Sequence, residues 1–236
     1  MGNSWFQFKQ FTIHQDKSAM KVCTDSCVFG AMIPVQGVPS ILDIGTGTGL
    51  LSLMLAQRCD AIIDAVEIDA DAAKQALQNV SESSWQDRIT IHNTSIQDYF
   101  KYTIKKYDLI VCNPPFFSDS IKSGSKQKDM ALHQTHLSIT ELMQVTSFML
   151  KENGDAYFLI SIYEEERFLK AASEAGLNSR RYTAIYDNPD KLIRYILHMR
   201  KDKLPTNEED RFIIRDKNRN YSQSFVSALK DFYLHL

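Results

Sequence analysis

One stretch, Asp43-Ile44-Gly45-Thr46-Gly47-Thr48-Gly49, decides the fold of this 236-residue chain. It follows residues 40 to 42, which are typical of a short buried strand, and precedes residues 50 to 56, which have a helical pattern. Glycines between a strand and a helix let the backbone turn tightly and approach a bound ligand closely. The stretch therefore predicts the first strand, turn and helix of an α/β fold, with a cofactor site at the turn.

The acid in this turn indicates which kind of cofactor the site holds. The spacing is Gly-x-Gly-x-Gly, and Asp43 stands two residues before the first glycine. A carboxylate there repels a pyrophosphate and suits a cation, so a nicotinamide or flavin dinucleotide is disfavoured. S-adenosylmethionine carries a cationic sulfonium and a cationic ammonium, and it fits the turn better. We therefore predict an S-adenosylmethionine site at this turn.

A second acid supports the cofactor site. Glu67 follows the strand pattern of residues 61 to 66 and lies 22 positions after Gly45. An acid at about this spacing accepts hydrogen bonds from ribose hydroxyls. The predicted cofactor-binding residues at this end are Asp43, Gly45, Thr46, Gly47, Gly49, Glu67 and Ile68.

A second motif, Asn113-Pro114-Pro115-Phe116, follows the apolar strand pattern of residues 107 to 112. Ligands bind outside the carboxyl ends of parallel strands, so Asn113 is expected at the catalytic edge. The two prolines stiffen the loop and remove two backbone N–H donors. The Asn113 side-chain oxygen and the Pro114 carbonyl then suit a planar NH2 group, and Phe116, or alternatively Phe117, would stack on a base.

The alternative interpretation of this motif is an ordinary sharp turn after a strand, because Asn-Pro is a common turn opener. The position of the motif downstream of Asp43 and Glu67 favours a catalytic role. Residues 113 to 116 are therefore the predicted catalytic loop.

Taken together, these motifs resemble the class I S-adenosylmethionine-dependent methyltransferases. Within that class, residues 21 to 31, 133 to 138 and 221 to 233 resemble the bacterial tRNA(Val) adenine-37 N6-methyltransferase family. The resemblance implies N6-methylation of an adenine in tRNA, and the tRNA and the nucleotide position come from the resemblance alone. It also implies that Thr24 and Asp25 line the cofactor pocket, although Thr24 could equally be a helix N-cap. His133 and His136 are assigned by the same resemblance to substrate contact.

Further candidate residues follow from position and charge. Asp98 lies after the third strand and is expected to bind the cofactor adenine, with Ser95 and the backbone of Ile96 as alternatives. Residues 1 to 98 contain six basic and eleven acidic residues, whereas residues 99 to 236 contain 21 basic and 18 acidic residues. A local basic rim can bind phosphates despite the net charge of −2, and an ordinary solvated surface is the alternative. The basic candidates beside the catalytic loop are Lys122, Lys126 and Lys128.

The remaining patterns predict a doubly wound, mostly parallel sheet, because strands alternate with helices. Further strands are predicted at 89–92, 155–161, 181–186 and 192–200, and helices at 70–80, 138–150 and 163–175, with Gly154 and Gly176 as stop signals. The resemblance implies seven strands in the order 3-2-1-4-5-7-6, with strand 7 antiparallel. We expect one domain, with a β-like and helical extension over 1–35, a core over 36–200, and a loop and helix over 201–236. The apolar stripe from Phe225 to Leu236 is interpreted as core packing.

Composition favours an intracellular enzyme. No run of 18 apolar residues and no charged-then-apolar leader occurs, so no membrane association is expected and the cytoplasm is the predicted compartment. The four cysteines have no spacing typical of a zinc site, and we interpret them as free thiols and predict no metal.

Two other functions stay open on the residues alone. Guanine N2 in ribosomal RNA and a glutamine amide in a protein also present two N–H donors, so Asn113 and Pro114 do not separate them from adenine N6. Phe116 favours a nucleobase, as a tendency of the family. A non-catalytic module that binds cofactor or RNA is disfavoured, because Asp43, Glu67 and Asn113 are all present.

Overall fold

The structure is a computed structural model that describes residues 3–17, 20–114, 137–202 and 208–236. Its strands, in chain order, are β1 (Trp5–Gln7), β2 (Thr12–His14), β3 (Ser40–Ile44), β4 (Ile62–Glu67), β5 (Ile89–Asn93), β6 (Tyr107–Cys112), β7 (Leu150–Ser161), β8 (Asn178–Asn188), β9 (Lys191–Arg200) and β10 (Glu208–Ile213). Its helices are α1 (Thr24–Met32), α2 (Leu50–Ala56), α3 (Ala70–Ser81), α4 (Ile96–Tyr102), α5 (Ile139–Met149), α6 (Glu165–Glu174) and α7 (Gln223–Leu229).

Strands β3 to β10 form one sheet in the order β5-β4-β3-β6-β7-β9-β8-β10. Strand β9 is antiparallel to β7 and to β8, whereas the other neighbouring pairs are parallel. This order confirms the predicted doubly wound sheet with its antiparallel seventh strand. An eighth strand, β10, extends the edge beside β8. The sequence did not indicate it, because its first three residues, Glu208-Glu209-Asp210, are acidic rather than apolar or β-branched.

Helix starts follow local side-chain chemistry. The Asp69 carboxylate accepts hydrogen bonds from the N–H groups of Asp71 and Ala72 and thereby caps α3. Helix α5 begins with a capping box, in which Ser138 accepts from the Glu141 N–H and the Glu141 carboxylate accepts from the Ser138 N–H. These caps satisfy backbone donors that have no partner inside the helix.

The two glycine stop signals have different outcomes. Gly176 follows α6 with φ +76° and ends it as predicted, because glycine adopts a left-handed backbone without steric cost. Gly154, in contrast, does not end a helix: α5 stops at Met149, and Gly154 lies inside β7. A Cβ at Gly154 would stand 2.8 Å from Leu150 Cδ1 and 3.1 Å from the Asp108 carbonyl oxygen. This glycine therefore permits close packing beside β6.

Apolar side chains on the two faces of the sheet form two core clusters. Ile41 and Leu109 belong to the cluster packed under α1, α2 and α7, whereas Leu42 and Ile110 belong to the cluster packed under α5 and α6. Successive side chains of β3 and β6 thus point to opposite faces of the sheet. Both faces of the sheet are buried, as a parallel sheet between helical layers requires. In the described part of the chain, no helix combines the length and apolar composition that a membrane crossing requires.

The N-terminal and C-terminal segments pack against each other. Strands β1 and β2 form an antiparallel hairpin, Phe8 pairs with Tyr233, and the Lys9 N–H donates to the Phe232 carbonyl oxygen over 2.8 Å. Phe225 and Phe232 are buried, which confirms the core-packing interpretation of the apolar stripe, although α7 ends before Phe232. Helix α1 lies outside the sheet and packs on α2 and on α7. The C-terminal segment, which carries α7, therefore helps to hold α1 in place.

Candidate active site

The glycine turn after β3 lies at the carboxyl edge of the sheet and forms an open cradle. Gly45, Gly47 and Gly49 all have positive φ values, of 72°, 57° and 81°. The N–H groups of Gly45 and Thr46 both donate to the Val66 carbonyl oxygen at the end of β4, over 2.9 and 3.1 Å. A Cβ added at Gly45 or Gly47 would meet no atom within 4 Å. The turn is therefore anchored on its inner side and leaves space on its outer side.

Asp43 is completely buried beneath this turn. Its Oδ2 accepts hydrogen bonds from the hydroxyls of Thr46 and Ser52, over 2.6 and 2.7 Å. Its Oδ1 is equally buried and has no hydrogen-bond partner among the residues that the structure describes. Burial raises the pKa of Asp43 to about 6, against the lowering effect of the two hydroxyls, and the nearby Glu67 carboxylate adds to the rise.

Glu67 lies at the end of β4 and is almost fully buried. Its Oε2 accepts from the Gly47 N–H over 2.8 Å, and its Oε1 accepts from the Asp69 N–H over 2.9 Å. The carboxylate is therefore fixed against the glycine turn. Burial raises the pKa of the Cys112 thiol, and both Asp43 and Glu67 add to that rise, so a negative field extends from the turn to the end of β6.

The other two residues predicted at the cofactor end occupy exposed positions. Ile68 follows Glu67 and is 58% exposed, which is unusual for an aliphatic side chain beside a buried acid. Asp98 lies in the first turn of α4, where its carboxylate accepts from the Ser95 hydroxyl and from Lys101 Nζ. These hydrogen bonds, with that of Lys101 the stronger, lower the pKa of Asp98.

Asn113 is held by a residue that the sequence analysis did not select. The Asn113 Nδ2 donates to the Ser26 hydroxyl over 2.9 Å, and Ser26 is buried in the first turn of α1. Because the amide nitrogen is engaged, the side-chain oxygen is the group left to accept. Ser26 Oγ also contacts Cys23 Sγ over 2.9 Å.

Two adjoining clefts open beside Asn113. The smaller cleft, of about 190 Å³, is lined by Asn113 and Pro114. The larger cleft, of about 550 Å³, continues towards Tyr163 and Arg215. The clefts share the following lining residues: Asp25, Ser161 and Arg194. The Arg194 Nε donates to Asp25 Oδ2 over 2.8 Å, so an ion pair stands where the clefts meet.

The N-terminal candidates, Thr24 and Asp25, lie at the start of α1 and line the clefts. Thr24 is the first residue of α1 and lines the larger cleft, and Cys23 occupies the N-cap position, so the N-cap alternative for Thr24 is wrong. Asp25 lines both clefts. The following candidates lie outside the described residues: Pro115, Phe116, Phe117, Lys122, Lys126, Lys128, His133 and His136.

Sequence reasoning missed Ser26, Ser52 and Arg194. Ser52 carries a detectable signal, because it is a polar residue inside the otherwise apolar helix 50 to 56. A polar side chain in such a helix needs a buried hydrogen-bond partner, which is here Asp43. Ser26 and Arg194 carry no comparable signal, since their partners lie 87 and 169 residues away.

The residues at the turn fit a cationic cofactor. The buried Asp43 Oδ1 is an acceptor without a donor in the described part of the chain, the glycine cradle is open, and two carboxylates concentrate negative charge there. A ligand with positive charge and N–H or O–H donors can donate to this acceptor and offset the negative charge, whereas a pyrophosphate is itself negative and cannot.

Comparisons with known proteins agree with this geometry. Residues 18–160 match the family model of the methyltransferase small domain. The fold is shared with a predicted O-methyltransferase from Agrobacterium tumefaciens, at 14% identity and TM-score 0.68, covering 88% of this chain and 95% of that one. It is also shared with ribosomal protein L11 methylase from Lactobacillus delbrueckii, at 16% identity and TM-score 0.59, covering 80% and 84%. The fold and the family model define an S-adenosylmethionine-dependent methyltransferase of the Rossmann-like class.

Two curated relatives narrow the class. A Cytophaga hutchinsonii protein is 63% identical over all of both chains, and a Trichodesmium erythraeum protein is 41% identical over 99% of both chains. Both are named tRNA1(Val) (adenine(37)-N6)-methyltransferase. The chain belongs to the tRNA1(Val) (adenine(37)-N6)-methyltransferase family, as the sequence resemblance predicted.

Proposed function

We propose that this protein methylates N6 of an adenine in tRNA with S-adenosylmethionine, and that the adenine is residue 37 of tRNA1(Val), as the names of its relatives state. The observation that carries the proposal is the Asn113 side chain at the end of β6. Its nitrogen is tied to Ser26, so its oxygen accepts from a substrate amine.

The catalytic loop acts on the amine by accepting hydrogen bonds from its N–H groups. The lone pair of an aromatic amine is delocalised into the ring, so reaction requires the nitrogen to become more tetrahedral. The Asn113 side-chain oxygen and the Pro114 carbonyl accept hydrogen bonds from the two N–H groups. These bonds favour the tetrahedral geometry and stabilise the positive charge that develops on the nitrogen. Phe116, or alternatively Phe117, stacks on the base after it leaves its own stack. The methylated nitrogen then loses its proton to water, so the loop needs no strong base.

The cofactor supplies the electrophilic methyl group. Asp43, Gly45, Thr46, Gly47 and Gly49 form the cradle for it, and the buried acceptor at Asp43 supports this role. Glu67 accepts from the ribose hydroxyls, and Ile68 packs against the adenine. We assign Asp98 to the same ligand as an outer contact. Thr24 and Asp25 line the larger cleft, and we assign them to the boundary between the methionine end of the cofactor and the substrate.

The tRNA is bound on the same edge of the sheet. We propose Lys122, Lys126 and Lys128 as phosphate contacts and His133 and His136 as further substrate contacts, because all five follow the catalytic loop in the sequence. A tRNA substrate supports the cytoplasm as the compartment, and we expect no membrane partner and no metal.

The decisive experiment uses radiolabelled S-adenosylmethionine and total RNA from a strain that lacks the gene. After incubation with the purified protein, the RNA is digested to nucleosides and the label is assigned by chromatography. We expect label in N6-methyladenosine, and in tRNA1(Val) when individual tRNAs are isolated. Label in N2-methylguanosine, or only in protein, would overturn the proposal.

A further inference from the structure

The larger cleft lies on the catalytic edge but contains neither Asn113 nor the glycine turn. Its lining includes Tyr163 after β7, Arg194 near the start of β9, Asp187 near the end of β8 and Arg215 after β10. Strand β9 is antiparallel to β7 and β8, so its start and their ends meet at one edge. The two clefts therefore form one groove that runs across the sheet from β6 to β10.

The length of the groove exceeds what the target base alone needs. Three strand spacings separate β6 from β8, which corresponds to roughly 14 Å. The larger cleft, of about 550 Å³, has the size of a small-molecule site, and it adjoins the smaller cleft at Asn113. A second chemical group beside the target base therefore has room in this groove.

The charges in the larger cleft are balanced. Arg194 is paired with Asp25, and Arg215 Nη1 is paired with Asp187 Oδ1 over 3.0 Å. Because each of these guanidiniums already faces a carboxylate, the described lining residues offer no excess positive charge to a phosphate. Its donors and acceptors suit the neutral edge of a base instead.

An aromatic ring stands at the rim of the same cleft. Tyr163 is 88% exposed, and its backbone is fixed by a turn in which its N–H donates to the Ser161 hydroxyl and the Glu164 N–H donates to the Ser161 carbonyl. Exposed aromatic rings beside a nucleic-acid site serve as stacking platforms for bases. The turn fixes the backbone at Tyr163 and leaves its ring exposed.

We propose that the larger cleft is a subsite for the base next to the methylated adenine, and that this base stacks on Tyr163. The inference rests on the proposed RNA substrate. Stacking of the neighbouring base holds the strand open on one side of the target, which lowers the cost of presenting the target base to Asn113.

The test measures methylation of an anticodon stem-loop RNA by the wild type and by Tyr163→Ala. We expect kcat/KM to fall roughly tenfold in Tyr163→Ala, and to stay within about twofold in Tyr163→Phe, which keeps the ring. Tyr102→Ala is the matched control, since Tyr102 is 89% exposed at the end of α4, at the opposite edge of the sheet. S-adenosylmethionine affinity, measured by calorimetry, should be equal in all four proteins.

Abasic RNAs identify the stacked base. The nucleotide on one side of the target adenine, and then on the other side, is replaced by an abasic nucleotide. On one of these RNAs the difference between wild type and Tyr163→Ala should disappear, because the partner of the ring is missing. Equal kcat/KM for wild type and Tyr163→Ala on intact RNA would overturn the subsite, and so would a difference that persists on both abasic RNAs. Failure of the wild type to methylate any RNA would instead refute the proposed function itself.

Discussion

The two ends of the catalytic edge are built in different ways. At the cofactor end, Asp43, Thr46, Ser52 and Glu67 lie within 25 positions of one another and are buried and mutually close. At the substrate end, the contacts of Ser26 with Asn113 and of Asp25 with Arg194 join segments 87 and 169 residues apart, beside open clefts. The cofactor end is thus encoded locally, whereas the substrate end depends on packing of the whole domain. Cofactor affinity and methyl transfer should therefore respond separately to substitution.

The largest expected effect is on methyl transfer at the substrate end. Asn113→Ala should lower kcat by roughly 10²–10³-fold, because the substrate amine loses its acceptor. Calorimetry should show unchanged affinity for S-adenosylmethionine. Asn113→Asp keeps an acceptor oxygen and should retain more activity than the alanine variant. Full activity of Asn113→Ala would refute the role of the amide.

Glu67→Ala should have the converse effect at the cofactor end. Loss of charged hydrogen bonds should weaken S-adenosylmethionine binding by roughly 10- to 100-fold. At saturating cofactor, kcat should return most of the way towards the wild-type value. Asp71→Ala, which removes an exposed carboxylate at the start of α3, is the control. A fall in kcat that saturation does not restore would show that the two ends are not separable.

The buried carboxyl at position 43 predicts an unusual pH dependence of stability. Its pKa is raised to about 6, so its contribution to stability is fully present below the unfolded value near 4 and is lost as pH rises through 6. Without cofactor, the free energy of unfolding of the wild type should fall by roughly 1–3 kcal/mol over this window relative to Asp43→Asn. Urea unfolding of both proteins from pH 4 to pH 7 measures this difference. A constant difference over the window would contradict the raised pKa.

The smallest expected effect concerns Ser26. Ser26→Ala removes the acceptor that orients the Asn113 amide and should lower kcat roughly three- to tenfold, without changing the KM for S-adenosylmethionine. Ser83→Ala is the matched control, since Ser83 is also buried but its hydroxyl bonds to nearby backbone groups, the Val80 carbonyl and the Trp85 N–H. In the background of Asn113→Ala, loss of Ser26 should have no further effect on kcat. A multiplicative loss there would assign Ser26 a purely structural role.

Local sequence patterns predicted most of the helices and strands of the fold. The alternation of strands and helices predicted a doubly wound sheet, whereas the strand order came from the family resemblance, because periodicity does not show which strands are neighbours. Gly154 shows the limit of such reasoning: a glycine after a helical pattern is a usual stop signal, yet here it leaves room for the Asp108 carbonyl on β6 and for Leu150 in its own strand. Strand β10 was missed for a related reason, since its pairing with β8 outweighs its weak local preference.

The residues of the candidate site also differ in whether their partners are local or distant in the sequence. Asp43 and Glu67 could be placed from spacing, because their partners are backbone groups and hydroxyls of the same turn or its neighbours. Ser26 and Arg194 could not be placed, since a residue in the sequence carries no record of which distant side chain it meets. Tyr163 was missed because one exposed tyrosine has no pattern of its own.

The pairing of Phe8 with Tyr233 has a consequence for the order of events during synthesis. The hairpin leaves the ribosome first, but the segment that it packs against follows more than 200 residues later. Helix α1, which carries Asp25 and Ser26, packs on α7 from that late segment. The substrate end is therefore complete only after this late segment has been synthesised, so the protein would acquire activity late in its synthesis.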